Sequence, residues 1–187
     1  MAEAGNQRVR YFAGQYLGSD DLSVEQAYHL AMRRRHNVAH HSWGIVSGLS
    51  IRFVEELGRF VEPGMAVDIF GRELLLAEPY PIDLQVFDEF DTDSIDVWLL
   101  YGRRESAVES AAFCQSSDEV EADREQEIAQ VRIKTSDPAD ADRRSPASFG
   151  PLASFSPEGV PPDDPALIWP VFLGSIRREL IRRRISV

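Results

Sequence analysis

The 187-residue chain is poor in cysteine, in lysine and in long apolar runs, and each shortage closes off a class of protein. A single cysteine, Cys114, excludes an internal disulfide and fits synthesis in a reducing compartment. No run reaches the roughly 18 apolar residues that mark a membrane-crossing helix, so no membrane insertion is expected. The opening residues lack a basic start followed by an apolar stretch, so no secretory signal is expected there. Cations are also in deficit, 20 against 31 acids, for a net charge of −11. That argues against nucleic-acid binding, which requires cations to neutralise phosphates. Phosphate-cradling glycine loops, the G-x-S-x-G elbow and the dinucleotide fingerprint are missing. No catalytic residue and no cofactor is therefore expected, and the chain is read as not an enzyme.

The charge that is present is unevenly spread. Residues 1–54 hold six arginines against four acids, residues 55–170 nine basic groups against 26 acids, and residues 171–187 five arginines against one acid. Two basic ends flank an acidic middle, a pattern suited to head-to-tail self-association or to docking on charged neighbours. All the cations but Lys134 are arginines, whose planar guanidinium suits interfaces.

The hydrophobic pattern predicts one α+β domain, mainly β: an antiparallel β-sandwich-like body with one long N-terminal helix packed on it. Residues 1–18 form an aromatic arm around Tyr11, Phe12 and Tyr16, with a bend at Gly14. Residues 19–42 form the helix, started by Ser19, Asp20 and Asp21 and running to about His41. Its apolar face is expected at Val24, Ala27, Tyr28, Ala31, Val38 and Ala39. Arg33, Arg34 and Arg35 are expected to face partners or solvent. From Trp43 the period changes to two. Residues 43–135 are read as the sandwich core, with one strand over Trp43 to Val54, an acidic loop over Phe87 to Asp96, and a central strand at Ile95 to Tyr101. Residues 136–165, rich in Pro, Asp and Ser, are read as a long loop. Residues 166–187 bring a returning strand and a basic tail.

Three of the four histidines, His29, His36 and His40, are placed by spacing to share a helix face, and a helix-histidine metal hydrolase is one alternative. The glutamate of H-E-x-x-H is missing between His36 and His40, and no third-ligand motif follows. No metal site is expected on that ground. A second alternative is a β-sandwich module that binds a carbohydrate or receptor, with Tyr11, Tyr16, Tyr80 and Trp169 stacking on sugars.

The stretch RYFAGQYLGSDDLSVEQAYHLAMRRRHNVAHHSWGIVSGLSI resembles a family encoded with bacterial contractile injection systems, the phage-tail-like particles. Its members read R-Y-F-x-G-Q-x-L, then D-F-x-x-E-Q-x-Y, R-R-x-H-N, H-G-W-G-V-V-x-G-L and P-G-x-A-x-D-x-x-G-R-E. Arg10, Tyr11, Phe12, Gly14, Gln15, Leu17, Asp21, Glu25, Gln26, Tyr28, His36, Asn37, His41, Trp43, Gly44, Gly48 and Leu49 match. So do Pro63, Gly64, Ala66, Asp68, Gly71, Arg72 and Glu73. Leu22 stands where the pattern has an aromatic, and Ser42 where it has glycine. The resemblance covers residues 8–84. A more distant likeness is to the shell domain of the type VI secretion baseplate adaptor and to the shoulder domain of phage receptor-binding proteins.

The resemblance implies a structural part of such a particle, at the baseplate or as an adaptor for peripheral fibres. Its partners would be wedge, fibre or sheath subunits and further copies of itself, in a trimer or another multicopy arrangement. It would be made and assembled in the cytoplasm and released with the particle. The expected protein interface is Tyr11, Phe12, Tyr16, Arg33, Arg34, Arg35, His36, Asn37, His41 and Trp43.

Overall fold

The computed structural model describes residues 8–56, 58–106, 124–144 and 166–178. Helix α1 spans Ser19–His36 and passes into a π-helical turn at Asn37–His41. Six short strands follow: β1 (Gly44–Gly48), β2 (Ile51–Val54), β3 (Gly58–Val61), β4 (Gly64–Val67), β5 (Glu73–Leu76) and β6 (Tyr80–Pro81). A single-turn helix, α2 (Val86–Glu89), leads to the two long strands β7 (Ser94–Ser106) and β8 (Arg124–Thr135). A 3₁₀ segment at Pro138–Arg143 and strand β9 (Val171–Arg177) complete the described elements.

The strands form three antiparallel sheets of three, in the orders β1-β4-β5, β2-β3-β6 and β8-β7-β9. The expectation of a mainly β, antiparallel fold with one long N-terminal helix holds. One core joins the sheets. It takes Ala66 and Leu74 from the first sheet, Val61 from the second, and Ile95, Val97, Leu99, Tyr101, Val171 and Ile176 from the third. Each such side chain contributes about 1.5–3 kcal/mol of burial if it is a large aliphatic. Along β7 the opposite face is buried too, with Asp96, Trp98 and Leu100 covered. That is why the central strand reads as a near-continuous apolar run.

Buried Asp96 is satisfied from three sides. It accepts from Ser136 Oγ at 2.7 Å, Ser175 Oγ at 2.6 Å and Arg144 Nη2 at 2.5 Å. The node ties the start of β7 to β9 and to the chain after β8.

The helix runs to His41 as expected, with its last turn π rather than α. Three boundaries differ from expectation, each for a local reason. The stretch from Trp43 is two strands, broken where Gly48 and Leu49 both take positive φ, +63° and +59°. Gly48 pairs with Gly64 of β4, and a Cβ on Gly48 would lie 2.2 Å from the Pro63 carbonyl oxygen. These two pattern glycines let the β1 and β4 backbones close on each other. Residues 86–89 are helical rather than looped, because Phe87 plugs the core at 1% exposure. Residues 102–106 extend β7 beyond the central strand expected at Ile95 to Tyr101.

Candidate functional site

The turn from Asp68 to Arg72 is the centre of the site. Asp68 Oδ1 accepts the backbone N–H groups of Phe70 (2.9 Å) and Arg72 (3.0 Å). The backbone closes as Gly71 N–H donates to the Asp68 carbonyl at 3.0 Å. Closing so tightly requires φ +77° at Gly71, which glycine adopts without steric cost. From this turn Gly71 and Glu73 reach the end of α1, and Arg72 reaches Leu167.

Gly71 receives the helix. A Cβ at this position would stand 2.2 Å from the carbonyl oxygen of Arg34, so bare backbone meets bare backbone. Arg72 turns inward. Its Nε donates to Asp68 Oδ2 at 2.6 Å and its Nη2 to the Leu167 carbonyl at 2.6 Å. Its guanidinium lies over the rings of Tyr101 (4.3 Å) and Phe70 (4.8 Å). Burial pushes the Asp68 carboxyl up, against the pull of Arg72 and the two amides. Such a buried pair is costly to form and far more costly to break on one side.

Glu73 takes the last turn of α1. Its Oε1 accepts from Arg33 Nε at 2.8 Å and from Asn37 Nδ2 at 3.2 Å, and Arg33 Nη2 donates to its Oε2. The hydrogen bond from Arg33 holds the Glu73 carboxyl below its ordinary value and raises the Arg33 guanidinium in turn. Asn37 also donates to the Gly71 carbonyl at 3.0 Å. With Nδ2 donating to both Gly71 and Glu73, Asn37 fixes the exit of the helix.

Arg34 runs beneath the helix to Glu127 of β8, with Nη2 and Oε1 3.8 Å apart. Glu127 Oε1 in turn accepts from the Tyr101 hydroxyl at 2.7 Å, and that hydroxyl accepts from Arg103 Nε at 2.9 Å. Burial is the main cause that raises the Tyr101 phenol. Helix, turn and long sheet are thus joined through one polar chain. The space left in this seam is about 20 Å³, room for roughly one water and no organic ligand.

The residues of the expected interface therefore separate. Arg33, Arg34 and Asn37 come together at the seam. Arg34, at 3% exposure, corrects the expectation that all three arginines face partners or solvent. Its helix face is turned onto Gly71, where no Cβ keeps the backbones apart. Arg35 is half-buried and its Nη1 lies 3.8 Å from Met32 Sδ. Trp43 is buried, edge-on to Trp169 with ring centroids 6.0 Å apart. Ser42, just before it, holds φ +63° and ψ −176°, a region that glycine alone occupies readily. His36 is exposed, with its ring 4.8 Å from that of His40. The side chain of His41 lies outside the described residues. Among the described residues, no group of three or more His, Cys, Asp or Glu is placed to hold a metal ion.

Tyr11, Phe12 and Tyr16 lie elsewhere, on the arm. The F-x-G-Q motif is a turn: Gln15 N–H donates to the Phe12 carbonyl (3.2 Å), and Gln15 Oε1 accepts from Phe12 N–H (3.3 Å). Gly14 supplies φ +82° inside it. Gly18 is the N-cap of the helix, and its N–H donates to Asp21 Oδ2 at 3.1 Å, whereas Ser19 lies in the first turn. Tyr11, Phe12 and Tyr16 are 52%, 70% and 92% exposed. Leu17, Leu22 and Val24 are exposed beside them. Val24 and Ala27, expected on the packed face, are thus in solvent. An open groove of about 620 Å³ lies between the arm and the first turns of α1, lined by Arg8, Val9, Arg10, Gln15, Asp20, Asp21 and Val24.

Sequence reasoning singled out the helix half of the seam and missed Tyr101, Glu127 and Leu167 as its other half. No local signal marks those three. Asp68, Gly71, Arg72 and Glu73 carried a signal, their D-x-x-G-R-E spacing, but without an indication that they face Arg33 to Asn37. No protein-family model and no curated protein sequence matches the chain.

Proposed function

We propose that this chain is a non-enzymatic structural component of a bacterial contractile injection system, acting at the baseplate or as an adaptor for peripheral fibres. The observation that carries the reading is a division of labour among the residues of the resembling pattern. Asn37, Asp68, Gly71, Arg72 and Glu73 are spent inside the fold, on fastening α1 to the sheets. Tyr11 and Phe12 of the same pattern, with Tyr16 between its fixed positions, are held out on a formed turn. Motifs of a catalyst converge on a cleft that admits substrate; these converge on a closed seam and an exposed arm. A rigid post carrying an aromatic contact surface suits a part that positions its neighbours. Large exposed apolar groups clustered in one place mark interaction sites.

The direct test is deletion of the gene followed by imaging of the particles. Particles lacking baseplate or fibre density, or unable to fire, support the reading; intact, fully decorated, firing-competent particles overturn it. Complementation with a Phe12→Ser/Tyr16→Ser chain narrows the result. That chain should fold and yet fail to enter the particle.

A further inference from the structure

The arm needs an occupant, and its chemistry narrows the choice. From Arg8 to Leu17 it carries two arginines, no acid, and three aromatic side chains in solvent. The opposite composition occurs once on the described surface in comparable density. Between Asp83 and Asp93 lie five acids, Asp83, Asp88, Glu89, Asp91 and Asp93, with no basic residue among them. This is the α2 ridge. Phe87 turns inward to anchor it, whereas Phe90 stands out at 41% exposure amid the acids. Arg178 is paired with Asp88, and the acids around Phe90 are exposed. An exposed aromatic flanked in sequence by carboxylates is the complement of exposed aromatics flanked by arginines: apolar faces meet and the charges around them pair.

We propose that the arm of one copy of this chain seats on the α2 ridge of a second copy, building a head-to-tail assembly. The proposal deepens the docking role given above and rests on it only for the arm being a contact surface. Joined head to tail, with a different patch offered by each copy, the contact is heterologous. Repetition closes it into a ring where the rotation between copies allows, and otherwise continues it as an open string. Either product positions successive copies at a fixed interval.

The test uses the full chain, alone in solution, so its outcome is independent of whether the chain enters an injection particle. Sedimentation velocity over a concentration series should show self-association at low salt. Association should weaken in about 1 M salt, where the Debye length falls to about 3 Å. Arg8→Glu/Arg10→Glu should weaken association by roughly tenfold or more, and Glu89→Arg/Asp91→Arg by a similar factor. The chain carrying both sets should regain it, because the charges are exchanged across the contact. All four substituted positions are exposed, and an unchanged near-ultraviolet circular dichroism spectrum checks that each variant folds. A monomer at every concentration overturns the proposal. So does loss of association in one reversal but not the other, or failure of the combined chain to recover. Loss of particle entry with self-association intact would instead place the particle contact elsewhere on the chain.

Discussion

At its C-terminal end α1 lays bare backbone on Gly71, gives Arg33 and Asn37 to Glu73, and sends Arg34 beneath itself toward β8. At its N-terminal end the same helix leaves Leu22 and Val24 in solvent and continues into an arm whose aromatics are uncovered. One helix of 18 residues, about 27 Å long, is thus a fastened root and a free head. The difference teaches how to weigh a motif. Residues of one sequence pattern meet opposite environments at the two ends, and burial separates them. Damage at the root should cost stability, and damage at the head should cost only association.

The largest effect is expected from Arg72→Ala. It leaves Asp68 buried beside an empty guanidinium site and frees the Leu167 carbonyl, so unfolding free energy should fall by about 4 kcal/mol in a denaturant titration. A chain that unfolds at the wild-type midpoint would remove the pair as the anchor of the root. Gly71→Ala comes next. The added methyl is disfavoured at φ +77° and runs into the Arg34 carbonyl, so a loss of about 3 kcal/mol is expected. Hydrogen exchange should show the last turn of α1 opening more than the strands of the core; uniform loosening would instead blame the turn alone.

Ser42→Gly has the opposite sign. Relief of the positive φ just before Trp43 should stabilise the chain by about 1 kcal/mol, seen as a higher thermal midpoint. No gain would mean that the serine hydroxyl offsets the strain. The smallest effect belongs to the head. Phe12→Ser/Tyr16→Ser should change unfolding free energy by no more than about 0.5 kcal/mol, because both side chains are already in solvent. A large loss there would erase the contrast between head and root.

Much of this was legible beforehand where the signal is local. The helix start, the strands around Pro and Gly, and the apolar β7 were all readable, because each depends on periodicity or on a turn residue. The arm was readable as well, as a short aromatic segment bent at Gly14. Arg34 was misjudged because three consecutive arginines look alike in sequence. Only the rotation that turns Arg34 onto Gly71 distinguishes it from its neighbours. Phe87 was misjudged because its acidic neighbours mask a single core-directed side chain.

By itself the amino-acid order determined which backbone conformations each segment could take. Gly14, Gly48 and Gly71 permit positive φ, Asp21 and Asp68 bond amides within a few residues of themselves, and β7 is apolar on both faces. The tertiary structure decided which of these segments meet. Asn37 and Glu73 are 36 residues apart, and Arg72 and Leu167 are 95 apart. No periodicity spans such distances, because these contacts form only after the sheets have closed around a shared core. The root of α1 exists as a site only in the folded chain, whereas the arm that it holds out could already be read from the sequence.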